Sequence, residues 1–292
     1  SDSKVNNYVQ KIIKSGNIST LNSNLDKKLT DELIKLHPWA SMATYARTCA
    51  EANAIALRLA RIYSNKEEVA ICGYHGWHDW YLSANLKNKK NLNKIHLANL
   101  STIGIPKKLE GLSHPFFYND ISSFKKIVKK NNIGAVFMEV QRNELPKNNF
   151  LEKVREITKN KNIVLIFDEC SSGFRETNGG IHKKFKIIPD LVIFGKSLGN
   201  GIPITSVLGK KKIMVKGEDS FISSTFWTDA TGPAAAIATL KEMHKKKSWI
   251  EITKTGRKIK QYWKYLSKKY NIIINIQGLD AMPTFNFKHE LD

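Results

Sequence analysis

Apolar positions along the chain recur with two different periods, and the changes between them mark alternating helices and strands. From Leu25 to Leu36 the apolar residues return every three or four positions, which predicts an amphipathic helix stopped by His37-Pro38. Glu51 to Tyr63, with Ala52, Ile55, Ala56, Leu59 and Ile62 on one stripe, predicts a second. Further helices are expected over Phe150–Thr158, Gly232–His244 and Trp249–Lys269. Met42–Ala46 and Val69–Cys72 read as short strands. The runs Ile133–Val140, Ile163–Phe167 and Leu191–Phe194 are too short for typical helices and rich in branched residues, so they predict parallel strands buried on both faces. The order implies an α/β fold with a mostly parallel central sheet and helices on both faces. Leu86–Asn119 shows little periodicity and is expected to be a partly irregular insertion. Ile272–Ile276 and Pro283–Phe287 read as strands opening a second, smaller domain, which divides the chain into 1–270 and 271–292.

With 292 residues, 41% of them hydrophobic, the chain can bury one large core or two smaller ones. Its 17 Gly and 8 Pro, without low-complexity tracts, exclude collagen-like and disordered classes. Cys49, Cys72 and Cys170 are too few for a disulfide framework and lack metal-ligand spacing, so no metal site is expected and free thiols suggest a reducing compartment. Ser1 to Lys14 is polar, and no apolar run reaches membrane-spanning length, which points to a cytoplasmic protein without a membrane partner. The net charge of +21 raises the question of nucleic acid. The positive residues are mostly Lys, scattered as pairs and accompanied by Asn and Ile, a pattern that base composition explains, and no recognition motif travels with them. A nucleic-acid partner is not expected.

In a parallel sheet ligands gather at the carboxyl ends of the strands. Asp168-Glu169-Cys170-Ser171-Ser172-Gly173-Phe174-Arg175 leaves an apolar strand with an acidic pair, and a half-desolvated carboxylate there suits a protonated nitrogen. In Gly195-Lys196-Ser197-Leu198-Gly199-Asn200-Gly201 a lone lysine follows another apolar strand, where desolvation would make its amine nucleophilic. Thr48-Cys49-Ala50-Glu51 opens a helix whose free N–H groups suit a phosphate, although Thr48 with Glu51 also fits a capping box that needs no ligand. An acid for a ring nitrogen, a nucleophilic lysine and a phosphate cradle are together the parts that pyridoxal phosphate requires.

The run Pro189 to Pro203 around Lys196 resembles the lysine signature of class III aminotransferases, and Asp168 to Arg175 resembles their aspartate motif. Gly73-Tyr74-His75-Gly76, the helix start Arg47–Ala52 and Ser223–Thr228 also match, and the likeness is greatest to the glutamate-1-semialdehyde aminomutase-like branch. The resemblance implies the large domain of a fold-type-I enzyme that carries pyridoxal 5′-phosphate as a Schiff base on Lys196, paired through Asp168 with the pyridinium nitrogen. It implies that Tyr74 stacks on one ring face with Cys170 on the other, and that Thr48, Cys49 and Ala50 hold the phosphate. It places Glu139 and Glu144 near the ring, and brings Thr225 to the cofactor of a second subunit in a homodimer. His75 is left without a role. The implied reaction passes an amino group from an amino donor to a carbonyl acceptor; an intramolecular aminomutase or a non-catalytic homologue are the alternatives. Compared with relatives the chain starts late and ends early, and it has Cys49 and Ala50 where they place Gly and often a hydroxyl residue. A side chain at Cys49 is expected to strain any left-handed backbone there, so the cradle is expected to be weak.

Overall fold

The structure is a computed structural model that describes residues 2–93, 95 and 97–287. In chain order its elements are α1 (Ser3–Lys14), α2 (Asn24–Leu36), β1 (Met42–Ala46), α3 (Cys49–Ser64), β2 (Glu68–Cys72), α4 (Asp79–Leu82), β3 (Ser113–Pro115), α5 (Ile121–Lys130), β4 (Ile133–Met138), α6 (Phe150–Asn160), β5 (Val164–Glu169), β6 (Leu191–Phe194), β7 (Thr205–Gly209), α7 (Lys211–Met214), α8 (Thr231–Lys246), α9 (Ser248–Lys269), β8 (Ile274–Leu279) and β9 (Met282–Phe287).

Seven strands form one sheet in the order β1-β7-β6-β5-β4-β2-β3. β3, β2, β4, β5 and β6 run parallel, and β7 is antiparallel to both β6 and β1. The α/β reading therefore holds. The pattern missed β7, whose Thr205-Ser206-Val207-Leu208-Gly209 begins with two hydroxyl residues that are nonetheless buried. It also missed α1, where Val5 and Val9 turn a polar segment's narrow apolar stripe inward, and α5, anchored by Phe124 and Val128. Among its described residues the insertion 86–119 is irregular apart from short turns and β3, which extends the sheet beside β2.

Successive side chains of a strand face opposite sides of a sheet. On β5, Leu165 and Phe167 join one core with α2, α5 and α6, while Val164 and Ile166 join another with α3. Burying each such side chain is worth roughly 1.5–3 kcal/mol. Helices on both faces thus leave only the strand ends open.

β8 and β9 pair as a separate antiparallel hairpin, longer at its first strand than the predicted Ile272–Ile276 and shifted toward the turn. The hairpin lies against α9, where a Cβ on Gly256 would come within 1.6 Å of the Asp280 carbonyl, so glycine permits the contact. Residues 288–292 of the expected second domain lie outside the described residues. Among the described residues no helix is long and apolar enough to cross a membrane.

Candidate active site

Four neighbouring strands, β2, β4, β5 and β6, end in Gly73-Tyr74-His75, Glu139, Asp168 and Lys196, and the start of α3 lies beside them. Asp168 is 6% exposed, more deeply buried than the half-desolvated position expected from sequence. Its Oδ2 accepts from His75 Nδ1 at 2.8 Å and from Asn53 Nδ2 at 3.1 Å, while Oδ1 accepts from Cys170 N at 3.1 Å. Burial alone would push this carboxyl up, but the His75 and Cys170 hydrogen bonds with the His75 charge outweigh it and hold Asp168 below the usual carboxylate range. A charged carboxylate oxygen can accept more than one bond, so Oδ1 has capacity left for a protonated ring nitrogen.

His75 and Asn53 are the residues that sequence reasoning did not assign. His75 is 1% exposed, its ring centroid 4.8 Å from Phe137 and stacked on Trp80, which orients its Nδ1 toward Asp168. Asn53 also donates to the His75 carbonyl at 3.1 Å. The signal for Asn53 was a polar residue beside Ala52 on the buried side of an otherwise apolar helix face.

Lys196 follows β6, its N–H bonded to the Cys170 carbonyl at 3.1 Å and its Nζ to Ser171 Oγ. The amine is exposed, contrary to the desolvated lysine expected, because the strand ends at the rim of an open cavity of about 540 Å³ whose wall includes Arg175 and Ser197. Its nucleophilic use therefore depends on position rather than burial.

The α3 start is a capping box of modified form. Thr48 Oγ1 accepts from Glu51 N at 3.2 Å, while Glu51 Oε2 reaches back to Arg47 N at 2.9 Å. The N–H groups of Cys49 and Ala50 have no carbonyl within the helix to bond, as at every helix start, and they lie at the positive end of its dipole. Cys49 is not among the residues with positive φ, which corrects the expected strain. Its sulfur turns toward Gly195 and leaves the backbone cradle intact.

The Tyr74 loop closes over this floor. Gly73, at φ +113°, passes where a Cβ would meet Glu139 Oε2 at 2.6 Å, and Tyr74 N donates to that oxygen at 3.1 Å. Arg142 Nε in turn donates to both Glu139 oxygens at 2.9 Å. The structure thus unites Thr48, Cys49, Ala50, Tyr74, Glu139, Asp168, Cys170 and Lys196 around one set of strand ends. Glu144 is exposed and paired with Lys147 at 2.7 Å, and it lines one pocket with Gly73, Glu139 and Arg142. Thr225 is exposed on a turn tied to the chain's own α3 start, where Trp227 Nε1 donates to Glu51 Oε1 at 3.1 Å.

The family model described as aminotransferase class-III matches residues 1–292. The chain is 33% identical to a 3-aminobutyryl-CoA aminotransferase of Cloacimonas acidaminovorans, over 97% of this chain and 66% of that protein. It is 30% identical to a glutamate-1-semialdehyde 2,1-aminomutase of Methanocaldococcus jannaschii, over 87% of this chain and 61% of that protein. It thus spans somewhat under two thirds of these relatives. Among solved structures, an omega-transaminase from Sphaerobacter thermophilus superposes with a TM-score of 0.87 at 20% identity, covering 100% of this chain and 69% of that one. The FumI protein of Sphingopyxis sp. MTA144, in its PLP internal aldimine form, gives 0.87 at 22% identity, covering 98% and 68%. The buried, charged Asp168 with a spare acceptor, the open helix start and the lysine at the cavity rim suit the cofactor of that family, and the chain belongs to the class III aminotransferases, with pyridoxal 5′-phosphate as its cofactor.

Proposed function

We propose that the protein transfers an amino group between an amino compound and a carbonyl acceptor, with Lys196 carrying the cofactor. The observation that carries this reading is Asp168: a buried carboxylate held charged by His75 and Cys170, with acceptor capacity unspent, in one row of strand ends with Lys196. When bound, pyridoxal phosphate supplies an electron sink for the bonds at the amine-bearing carbon. Asp168 keeps a proton on the ring nitrogen, and His75 and Asn53 fix the carboxylate so that it does not swing away. The Cys49 and Ala50 N–H groups would hold the phosphate, and Tyr74 would pack against the ring. Lys196 Nζ takes the proton from the amine-bearing carbon and returns it, with Ser171 Oγ holding the amine between turns.

A second copy of the chain and a reducing, cytoplasmic setting belong to the same proposal. Phe221 and Phe226, 87% and 61% exposed, flank Thr225 and offer an apolar surface for a partner subunit. Cys49, Cys72 and Cys170 are free thiols.

Borohydride treatment of the cofactor-loaded protein, followed by peptide mapping, should fix the pyridoxyl group on Lys196; label on another lysine would overturn the assignment. Omitting the carbonyl acceptor separates the two chemistries. Amino transfer stops without it, whereas an intramolecular aminomutase continues.

A further inference from the structure

We propose that Cys49 and Cys170 form a redox-active dithiol in the floor of the cofactor site, closed to a disulfide by a peroxide and reopened by a thiol reductant. The two residues come from α3 and from the loop after β5, and the sheet brings them against Gly195. A Cβ on residue 195 would lie 2.4 Å from Cys49 Sγ and 3.4 Å from Cys170 Sγ, so the absence of a side chain there is what lets both sulfurs share one space. Both sulfurs thus lie within 3.4 Å of a single point in the floor of the site.

Their environments divide the work. The hydrogen bond from Cys170 holds the Cys49 thiol below its ordinary value, against its partial burial and the nearby Asp168 charge, with Lys196 adding to the effect. Burial and the adjoining Cys49 push Cys170 well up. Cys49 is half-buried and reachable, while Cys170 is 6% exposed. A reactive, accessible thiol beside a shielded resolving thiol is the arrangement that converts peroxide into a disulfide and stops further oxidation. Cys72, 3% exposed and pushed up by burial, serves as an internal reference.

The Cys49 thiolate attacks one peroxide oxygen, the O–O bond breaks, and the departing hydroxide takes a proton to become water, leaving Cys49 as a sulfenic acid. The Cys170 sulfur then attacks the Cys49 sulfur. The S–O bond breaks and the oxygen leaves as a second water, carrying the Cys170 proton. Two thiols lose two electrons in all, and one peroxide is reduced to two waters. The bond ties the first turn of α3, whose N–H groups face the phosphate position, to the loop that follows Asp168. Oxidised chain therefore loads cofactor poorly, and by linkage bound cofactor slows closure of the bond. This consequence rests on the cofactor reading; the disulfide itself does not.

The test treats the full chain with one equivalent of hydrogen peroxide, with and without preloaded pyridoxal phosphate, then alkylates and maps peptides without reduction. The expected map joins Cys49 to Cys170 and leaves Cys72 alkylated, with dithiothreitol reversing the link. Cofactor uptake by absorbance should fall at least tenfold in the oxidised chain, and preloading should slow cross-linking at least fivefold. In Cys170→Ala, checked by circular dichroism for folding, Cys49 should stall as a sulfenic acid trapped by dimedone. Oxidation of Cys49 to sulfinic acid in the intact pair, or of Cys72 as fast as Cys49, would overturn the proposal. Cross-linking that leaves uptake unchanged overturns its coupling to the site. If reduced chain takes up no pyridoxal phosphate at all, the cofactor reading fails, and the peptide map still decides whether the thiols pair.

Discussion

Asp168 and Glu169 are adjacent on β5, both buried and both paired with a buried histidine, yet they face opposite sides of the sheet and do different things. On one face Asp168 Oδ1 accepts from the Cys170 backbone N–H, and the carboxylate lies against the first turns of α3 through Asn53. On the other, Glu169 is saturated: Oε1 accepts from His182 N at 3.1 Å and His182 Nδ1 at 2.6 Å, and Oε2 from Ile181 N and from Ser172 Oγ at 3.5 Å. His37 seals that side, its ring centroid 5.5 Å from His182. A carboxylate–histidine pair is thus not a functional sign by itself. Unspent acceptor capacity, in one row of strand ends with Lys196, is what separates the site from the structural joint.

The strongest way to break this comparison is to remove one charge from each pair. Glu169→Gln should cost about 3–5 kcal/mol, because it leaves buried donors facing an amide that cannot accept from all of them. Asp168→Asn should retain most of the stability but slow amine transfer by roughly 10²–10³-fold, since the ring nitrogen loses its charged partner. Urea unfolding and single-turnover absorbance read the two effects separately, and an interchange of the two outcomes would refute the division.

Acid should then strike the sealed side first. His37 donates from Nδ1 to the Leu33 carbonyl at 3.0 Å and accepts at Nε2 from Gly180 N at 3.1 Å, so protonation would set two N–H groups against each other. Burial, with the neighbouring His182, lowers it from 6.5 to about 3. The unfolded chain binds this proton below about pH 6.5 and the folded chain does not, so stability is complete above that pH and declines as pH falls toward 3, by a few kcal/mol in total. Asp168, whose folded value is also lowered, adds a loss only at more acidic pH, below the ordinary carboxylate range. His37→Gln should flatten the upper part of the profile of unfolding free energy against pH; an unchanged slope between pH 6.5 and 4 would exclude His37 as its source.

The smallest effect sharpens the open side. Ala50→Thr adds a hydroxyl where a phosphate binds, and should tighten pyridoxal phosphate about tenfold in a titration. Cys49→Gly should change affinity less than threefold, because the backbone there already has ordinary helical geometry. A large gain from the glycine alone would mean that the sulfur does obstruct the cradle.

The sequence by itself determined the alternation of helices and buried strands, because the two hydrophobic periods are local properties that the sheet only assembles. It also determined the motifs around Asp168 and Lys196, whose residue types follow apolar runs that place them at strand ends. Other features needed the tertiary structure. β7 became a strand because β1 and β6 supply partners on both sides, which no pattern within Thr205–Gly209 announces. Asn53 and His75 are 115 and 93 residues from Asp168 along the chain, and only the packing of α3 and the Tyr74 loop over β5 brings them to its carboxylate. The same packing gave Cys49 a neighbour in Cys170 and brought Glu144 into one pocket with Glu139. Hydrogen bonds and ion pairs act over a few ångströms in space, while a sequence records only the order of residues, so which acceptors stay unspent is decided when the strands align.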